Sequence, residues 1–247
     1  MRVAAVYDIH GNLPALEAVL GEVGAARVDR VVVGGDVFPG PMPGECLRRL
    51  LALDVPVHFI RGNGDREVLA RMRGEETGTV PEKFREVIDW VASELPAEDE
   101  ARIAGWPETL RLDIPELGRV LFCHATPRND TEIFTRLTPE ERLLPIFGAG
   151  EERLVVCGHT HMQFDRMVGD VRVVNAGSVG MPFGELGACW LLLGPGVHLQ
   201  RTLFDLVAAA DRIRSTEYPQ VDALAEQYMR PPAESAMLEV FSRSELK

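Results

Sequence analysis

Val3 to Tyr7 is an apolar run with little alternation, the pattern of a strand buried on both faces. Leu13 to Ala26 instead spaces Leu16, Val19, Leu20 and Val23 at helical intervals. The alternation repeats: strand Arg30–Gly34, helix Glu45–Leu53 with Leu47, Leu50 and Leu51 on one face, strand Val55–Ile60. Arg66–Arg73 and Pro81–Leu95 then read as charged helices, the second with a stripe of Val87, Ile88 and Val91. Hairpins dominate afterwards. Thr109–Asp113 pairs with Arg119–Cys123 around Pro115–Gly118, Phe164–Val168 with Val171–Asn175 around Gly169–Asp170, and Ala188–Leu193 with Val197–Phe204 around Gly194–Gly196. Helix Glu140–Phe147 and buried strand Leu154–Cys157 stand between them. The prediction is one α/β domain over residues 1–247, with a helical insertion around 66–105 and a helical C-terminal segment from about 205, broken at Pro231-Pro232.

The polar residues gather where the strands end. The first strand delivers Asp8 and His10, the second Gly35-Asp36, the third Gly62-Asn63-Gly64-Asp65. Later strands run into His124 and into Gly158-His159-Thr160-His161. Two residues apart on extended backbone, Asp8 and His10 are expected to point the same way. The C-terminal edge of an open α/β sheet is where ligands bind. Any one of these groups reads equally well as a solvated loop residue; seven at five strand ends do not. His58 and His198, inside strands, get no role. Asp oxygens with His nitrogens suit Mn, Fe, Zn, Co or Ni better than Ca or Mg. Seven ligands exceed one ion and suit two that share a carboxylate. Asn12 caps the first helix ahead of Pro14.

The bulk properties narrow the partners. Twenty-six basic against 38 acidic residues give a formal charge of −12. Such a surface repels long nucleic acid and anionic membranes. Cys46, Cys123, Cys157 and Cys189 form no C-x-x-C pair and are expected to be buried and reduced. With no signal-peptide pattern and no apolar run of ~20 residues, the expected location is cytoplasmic and off the membrane. A homo-oligomer stays open.

Asp8-x-His10, Gly35-Asp36, Gly62-Asn63-x-Asp65, the lone His124 and Gly158-His159-x-His161, in this order, resemble the signature of the calcineurin-like metallophosphoesterases. Asn175-x-Gly177-Ser178 resembles a further element of the bacterial and archaeal branch. The resemblance implies a two-sheet α/β/β/α sandwich holding two divalent transition-metal ions, manganese first among them. It places one ion on Asp8, His10, Asp36 and His161 and the other on Asn63, His124 and His159, with Asp36 bridging. It further implies hydrolysis of a phosphodiester or phosphoanhydride by a metal-bridging hydroxide, with Asp36, Asn63, Asp65 and Arg128 as candidate catalytic groups. Arg66, Arg128 and Asn12 are candidate substrate contacts, and the substrate is a small phosphoester or nucleotide.

One position departs from the family. Where the pattern usually carries a histidine that helps protonate the leaving oxygen, this chain has Gly64. General acid catalysis is worth ~10²–10⁴-fold for a basic leaving group and much less for a stable anion. The departure favours an anhydride or aryl ester, disfavours a protein serine/threonine phosphatase, and suits a diadenosine tetraphosphatase-like activity. The competing reading is a non-catalytic scaffold, against which the complete ligand set speaks. A glycine here also fits a positive φ. The 66–105 insertion is expected near the mouth of the site.

Overall fold

In the computed structural model, residues 1–76 and 80–246 are described. The first half alternates β1 (Val3–Val6), α1 (Leu13–Ala25), β2 (Arg30–Val33), α2 (Pro43–Leu51), β3 (Val57–Phe59) and α3 (Asn63–Met72), followed by α4 (Glu82–Glu94) and α5 (Ala97–Ala104). Next come β4 (Thr109–Ile114), β5 (Gly118–Cys123), α6 (Glu140–Phe147), β6 (Leu154–Cys157), β7 (Phe164–Val168) and β8 (Val171–Asn175). The chain ends with β9 (Ala188–Leu193), β10 (Val197–Thr202), α7 (Leu206–Arg214), α8 (Val221–Met229) and α9 (Glu234–Ser242).

Ten strands make two mixed sheets of five, ordered β10-β9-β1-β2-β3 and β4-β5-β6-β8-β7. β1, β2 and β3 are parallel, as are β5, β6 and β8, so two sets of C-terminal strand ends are available to a shared site. The period-2 geometry of β1 explains its unbroken apolar run. Val3, Ala5 and Tyr7 face the second sheet, meeting Phe122, Val156 and Val174. Ala4 and Val6 face outward onto Leu16, Val19 and Leu20 of α1. The second sheet is covered on its far side by Leu143, Ile146 and Phe147 of α6. The result is helices, sheet, sheet, helices: the α/β/β/α sandwich.

The 66–105 segment departs from expectation. Ile88 and Val91 of the α4 stripe are buried with Leu95, Ile103 and Trp106 in the outer helix layer, alongside α1 and α2. Its apolar stripe anchors it to the core, where burial of each such side chain contributes about 1.5–3 kcal/mol. It thickens the wall of the first sheet, and its stripe does not face the strand-end residues. No helix among the described residues is long and apolar enough to cross a membrane. All four cysteines are free and buried.

Candidate metal centre

β1 ends at Val6, so Asp8 and His10 do not stand on extended backbone. Both are left-handed, with φ of +52° and +47°, as are Asp36 (+51°), His159 (+66°) and His161 (+59°). That region costs a non-glycine residue roughly 1–2 kcal/mol, and persists only where the surroundings over-determine it. They do. The two turns zip together through Asp8 N to Gly35 O (3.1 Å), His10 N to Asp36 O (3.0 Å) and Gly11 N to Val37 O (2.9 Å). Ser178 Oγ donates to Asp8 O at 2.7 Å and Gly180 N donates to it at 3.0 Å. Gly35, at φ +92°, leaves room for the crossing: a β-carbon there would sit 2.7 Å from both Gly62 N and His124 Nδ1.

These turns bring all seven strand-end ligands together. His10 Nε2 lies 3.1 Å from His161 Nε2, and His161 Nε2 lies 3.5 Å from Asp8 Oδ1. On the other side, one end of the Asn63 amide lies 3.1 Å from His124 Nε2 and 3.0 Å from His159 Nδ1. Asp36 stands between, with Oδ2 3.8 Å from His10 Nε2 and Oδ1 3.5 Å from His124 Nε2. Asp8, His10 and His161 offer atoms within 4.8 Å of one another, and so do Asp8, Asp36 and His124. Asp8, Asp36, His10 and His124 are buried, whereas Asn63, His159 and His161 are partly exposed, so the cluster opens on their side.

Whether the residues fit a cation can be tested on their own hydrogen bonds. His10 Nδ1 donates to Pro39 O (3.2 Å), His124 Nδ1 to Gly34 O (3.0 Å) and His161 Nδ1 to Met181 O (2.8 Å). A carbonyl only accepts, so each imidazole turns a lone pair on Nε2 toward the centre. His10 and His161 therefore face each other lone pair to lone pair. Asp8 Oδ1 is buried without a hydrogen-bond donor. Burial, then the charge of His161, push His10 down to about 3, and burial, then His124, push His159 down to about 3. Both are thus neutral and ready to ligate at neutral pH. Burial works to raise Asp8, but the surrounding imidazoles, His161 first, prevail and take it down to about 2. Burial and the neighbouring Asp8 push Asp36 well above the carboxylate range. Two such carboxylates resist joint ionisation without a counter-charge. Acceptors facing acceptors, and carboxylates in conflict, are what divalent ions would satisfy. The donor set fits.

Four candidate site residues have protein partners of their own, and Gly64 lies where positive φ is not required. Asp65 is buried and gives both oxygens to main-chain amides: Asp36 N (2.9 Å), Phe38 N (3.1 Å) and Gly62 N (2.9 Å). It pins the turns that carry Asp36 and Asn63 and presents no oxygen for catalysis. Asn12 is equally committed, accepting from Ala15 N (3.1 Å) and donating to Gly180 O (3.0 Å). Arg128 clamps Glu132, and Arg66 holds Asp130 (2.8 and 3.3 Å) and Glu67 (2.6 Å). Both guanidiniums are spoken for by carboxylates, which takes them out of the free phosphate-clamping set. Gly64 is not at positive φ. It lies in the first turn of α3, and a β-carbon there would fall against Phe38 O and 2.9 Å from Pro39 Cδ. Steric closure, not backbone freedom, calls for glycine.

Other supporting residues escaped sequence reading. Asp130, whose carbonyl lies 3.2 Å from the Asn63 amide, belongs to no strand end or motif. The carbonyls of Gly34, Pro39 and Met181 have no side-chain signal at all. The Asn175–Ser178 element did carry one: Asn175 Nδ2 donates to Gly158 O (2.6 Å) below the His159 turn, and Ser178 Oγ accepts from Met181 N (2.7 Å).

Parallel strand ends from two facing sheets, converging on Asp and His side chains, define the architecture of a metallohydrolase of the phosphoesterase kind. The calcineurin-like phosphoesterase superfamily domain matches residues 1–193, and the chain belongs to that superfamily. An uncharacterized protein of Methanocaldococcus jannaschii is 27% identical over 239 residues, 88% of this chain and 94% of that one. The fold is shared with a hypothetical protein of Pyrococcus horikoshii (TM-score 0.77, 21% identity, 92% of this chain and 97% of that one). It is also shared with a metallophosphoesterase from Sphaerobacter thermophilus (TM-score 0.73, 24% identity, 93% and 98%). Family and ligand cluster together support a metal-dependent phosphoester hydrolase using divalent ions.

Proposed function

We propose that this chain is a dinuclear phosphoesterase that hydrolyses phosphodiester or phosphoanhydride bonds in a small, nucleotide-like substrate in the cytoplasm. The observation that carries the reading is the placement of Asp36, whose Oδ2 lies 3.8 Å from His10 Nε2 and whose Oδ1 lies 3.5 Å from His124 Nε2. Asp8, His10 and His161 with Asp36 would hold one ion, and Asn63, His124 and His159 with Asp36 the other. When bound, such ions polarise phosphate oxygens and lower the pKa of water, and manganese is the first candidate. The chain's own residues orient the ligands through main-chain carbonyls, and Asp65 fixes the Asp36 turn against the start of α3. A phosphate would find no uncommitted guanidinium at Arg66 or Arg128, so its charge would be met by the ions and by main-chain amides.

Gly64 narrows the substrate. No side chain stands there to protonate a leaving oxygen, so a leaving group stable as an anion is favoured: a nucleoside phosphate or an aryl oxide. A diadenosine tetraphosphate-type substrate meets that condition; a phosphoserine does not. The charge of −12 disfavours long nucleic acid.

The test is to strip the protein of metal, reload it with each of Mn, Fe, Zn, Co and Ni, and assay a monoester, a diester and diadenosine tetraphosphate. Two ions per chain with recovered diester or anhydride hydrolysis is the expected result. Full activity at one ion per chain would overturn the dinuclear reading, and no hydrolysis with any ion would favour the scaffold.

A further inference from the structure

Asn63 is the first residue of α3, while His124 begins the loop that follows β5. Each is held to the β2 turn, α3 through Asp65 and His124 through Gly34 O. A direct tie between them is Arg66, one turn along α3, which grips Asp130 with two parallel hydrogen bonds, Nε to Oδ2 at 2.8 Å and Nη2 to Oδ1 at 3.3 Å. The pair is largely shielded, with the Arg66 side chain 37% and the Asp130 side chain 18% exposed. A forked, half-buried pair fixes orientation as well as distance.

What Asp130 holds in turn is stiff. Thr126 N donates to Asn129 O (3.1 Å), and Asn129 Oδ1 accepts from Thr131 N (3.0 Å) and Glu132 N (2.8 Å). Thr126 Oγ1 donates to Glu132 (2.6 Å), which Arg128 also clamps. The loop from His124 to Glu132 therefore moves as a block. Its Asp130 carbonyl lies 3.2 Å from the end of the Asn63 amide that faces His124 and His159, a close approach but no hydrogen bond when that end is Oδ1. In contrast, the turns that carry Asp8, His10 and His161 are held by the β2 turn and by Met181 O, and of this block only His124 comes near them, 3.9 Å from Asp8 Oδ1.

We propose that the Arg66–Asp130 pair is a positioning device for one ion only: by joining α3 to the His124–Glu132 loop, it sets the spacing of Asn63 and His124. This rests on the dinuclear reading. Arg66 is then neither a phosphate clamp nor surface decoration; its charge holds geometry one helical turn from Asn63.

The experiment is a titration of metal-free protein with Mn²⁺, followed by calorimetry and electron paramagnetic resonance. Wild type should bind two ions and develop an exchange-coupled signal. Asp130→Ala and Arg66→Ala should each weaken one ion by ~10–100-fold, the usual cost of removing an outer-shell partner, and leave the other within about twofold. The coupled signal should give way to that of isolated Mn²⁺. The double variant should be no worse than either single one, because both break the same contact. Arg66→Lys should recover only part, lacking the fork. Asp130→Asn, which keeps the shape and loses the charge, gives the same reading where the alanine variant fails to fold. Unchanged affinities, or equal weakening of both ions, would overturn the proposal while wild type still binds two. Wild type binding a single ion would overturn this proposal and the dinuclear reading together.

Discussion

Two halves of the site face the two oxygens of Asp36, and they are made in different ways. The Asp8–His10–His161 half is fixed by main chain: left-handed turns laced by amide-to-carbonyl hydrogen bonds, with Ser178 and Gly180 holding Asp8 O from behind. The Asn63–His124–His159 half is assembled from a helix start and two loops that rest on the β2 turn through Asp65 and Gly34 O, and it depends further on the side-chain tie of Arg66 to Asp130. Main-chain bonding is insensitive to which side chain a residue carries, whereas a side-chain tie is lost with one substitution. The first half should therefore be robust and the second adjustable, and substitutions can set the two apart.

The largest effect is expected where the halves join. Asp36→Asn replaces the one group facing both, and a neutral amide bridges two cations poorly. It should lower ion content below two per chain and reduce kcat by ~10³-fold or more, on the scale by which such ions stabilise charge. Elemental analysis with steady-state kinetics checks both. Near-normal activity at full loading would remove Asp36 from the centre of the comparison.

Next comes the leaving group. Across substituted aryl phosphodiesters, log kcat should fall steeply as the phenol becomes more basic, by ~10²-fold or more over the series, since an acid catalyst is worth that much. A flat series with chemistry rate-limiting would mean that another group supplies the proton. Gly64→His should not rescue basic leaving groups. Its β-carbon meets Phe38 O and Pro39 Cδ, so the variant should be less stable by about 1–3 kcal/mol, the cost of overpacking, read as a lower melting temperature.

Ser178→Ala sharpens the comparison from the first half. Ser178 Oγ donates to Asp8 O at 2.7 Å and accepts from Met181 N at 2.7 Å, and all three belong to the Asp8–His161 side. Removing both bonds, with Asp8 O keeping Gly180 N as its donor, should cost about 1–3 kcal/mol in denaturant unfolding. It should weaken the ion on that side more than its neighbour. The smallest effect belongs to Arg128, half exposed and paired only with Glu132. Arg128→Ala should change kcat/KM by less than about twofold, the range of an exposed ion pair; a large rise in KM would restore it as a substrate contact.

The sheets and the ligands were legible for one reason: both are written in short-range pattern. Val3 to Tyr7 reads as doubly buried because its two faces meet a helix and a second sheet. Asp8, His10, Asp36, His124, His159 and His161 announce themselves by following strands, three of them (His10, Asp36, His159) beside a glycine and Asp8 and His161 two residues from another ligand type. What the pattern does not carry is direction. Nothing local distinguishes Asp65, which faces main-chain amides, from Asp36, which faces imidazoles. The same holds for Arg66 and Arg128, whose partners Asp130 and Glu132 lie in a loop without periodicity. The charged helices of the 66–105 segment were visible, but not which wall they line, since Val87, Ile88 and Val91 would be buried against either.

β1 lies in the interior of its sheet, between β2 and β9, with Val3 opposite both Arg30 and Leu193. Asp8 and His10 leave the ribosome well before β9, so their strand gains its second neighbour only when residues 188–193 have emerged. His161 waits for Met181, and Asp8 O waits for Ser178 and Gly180. The nascent chain thus carries every ligand long before it has a site. Ion capture is consequently a late event of biogenesis, and a ribosome-stalled chain ending short of residue 175 should retain no ion through gel filtration.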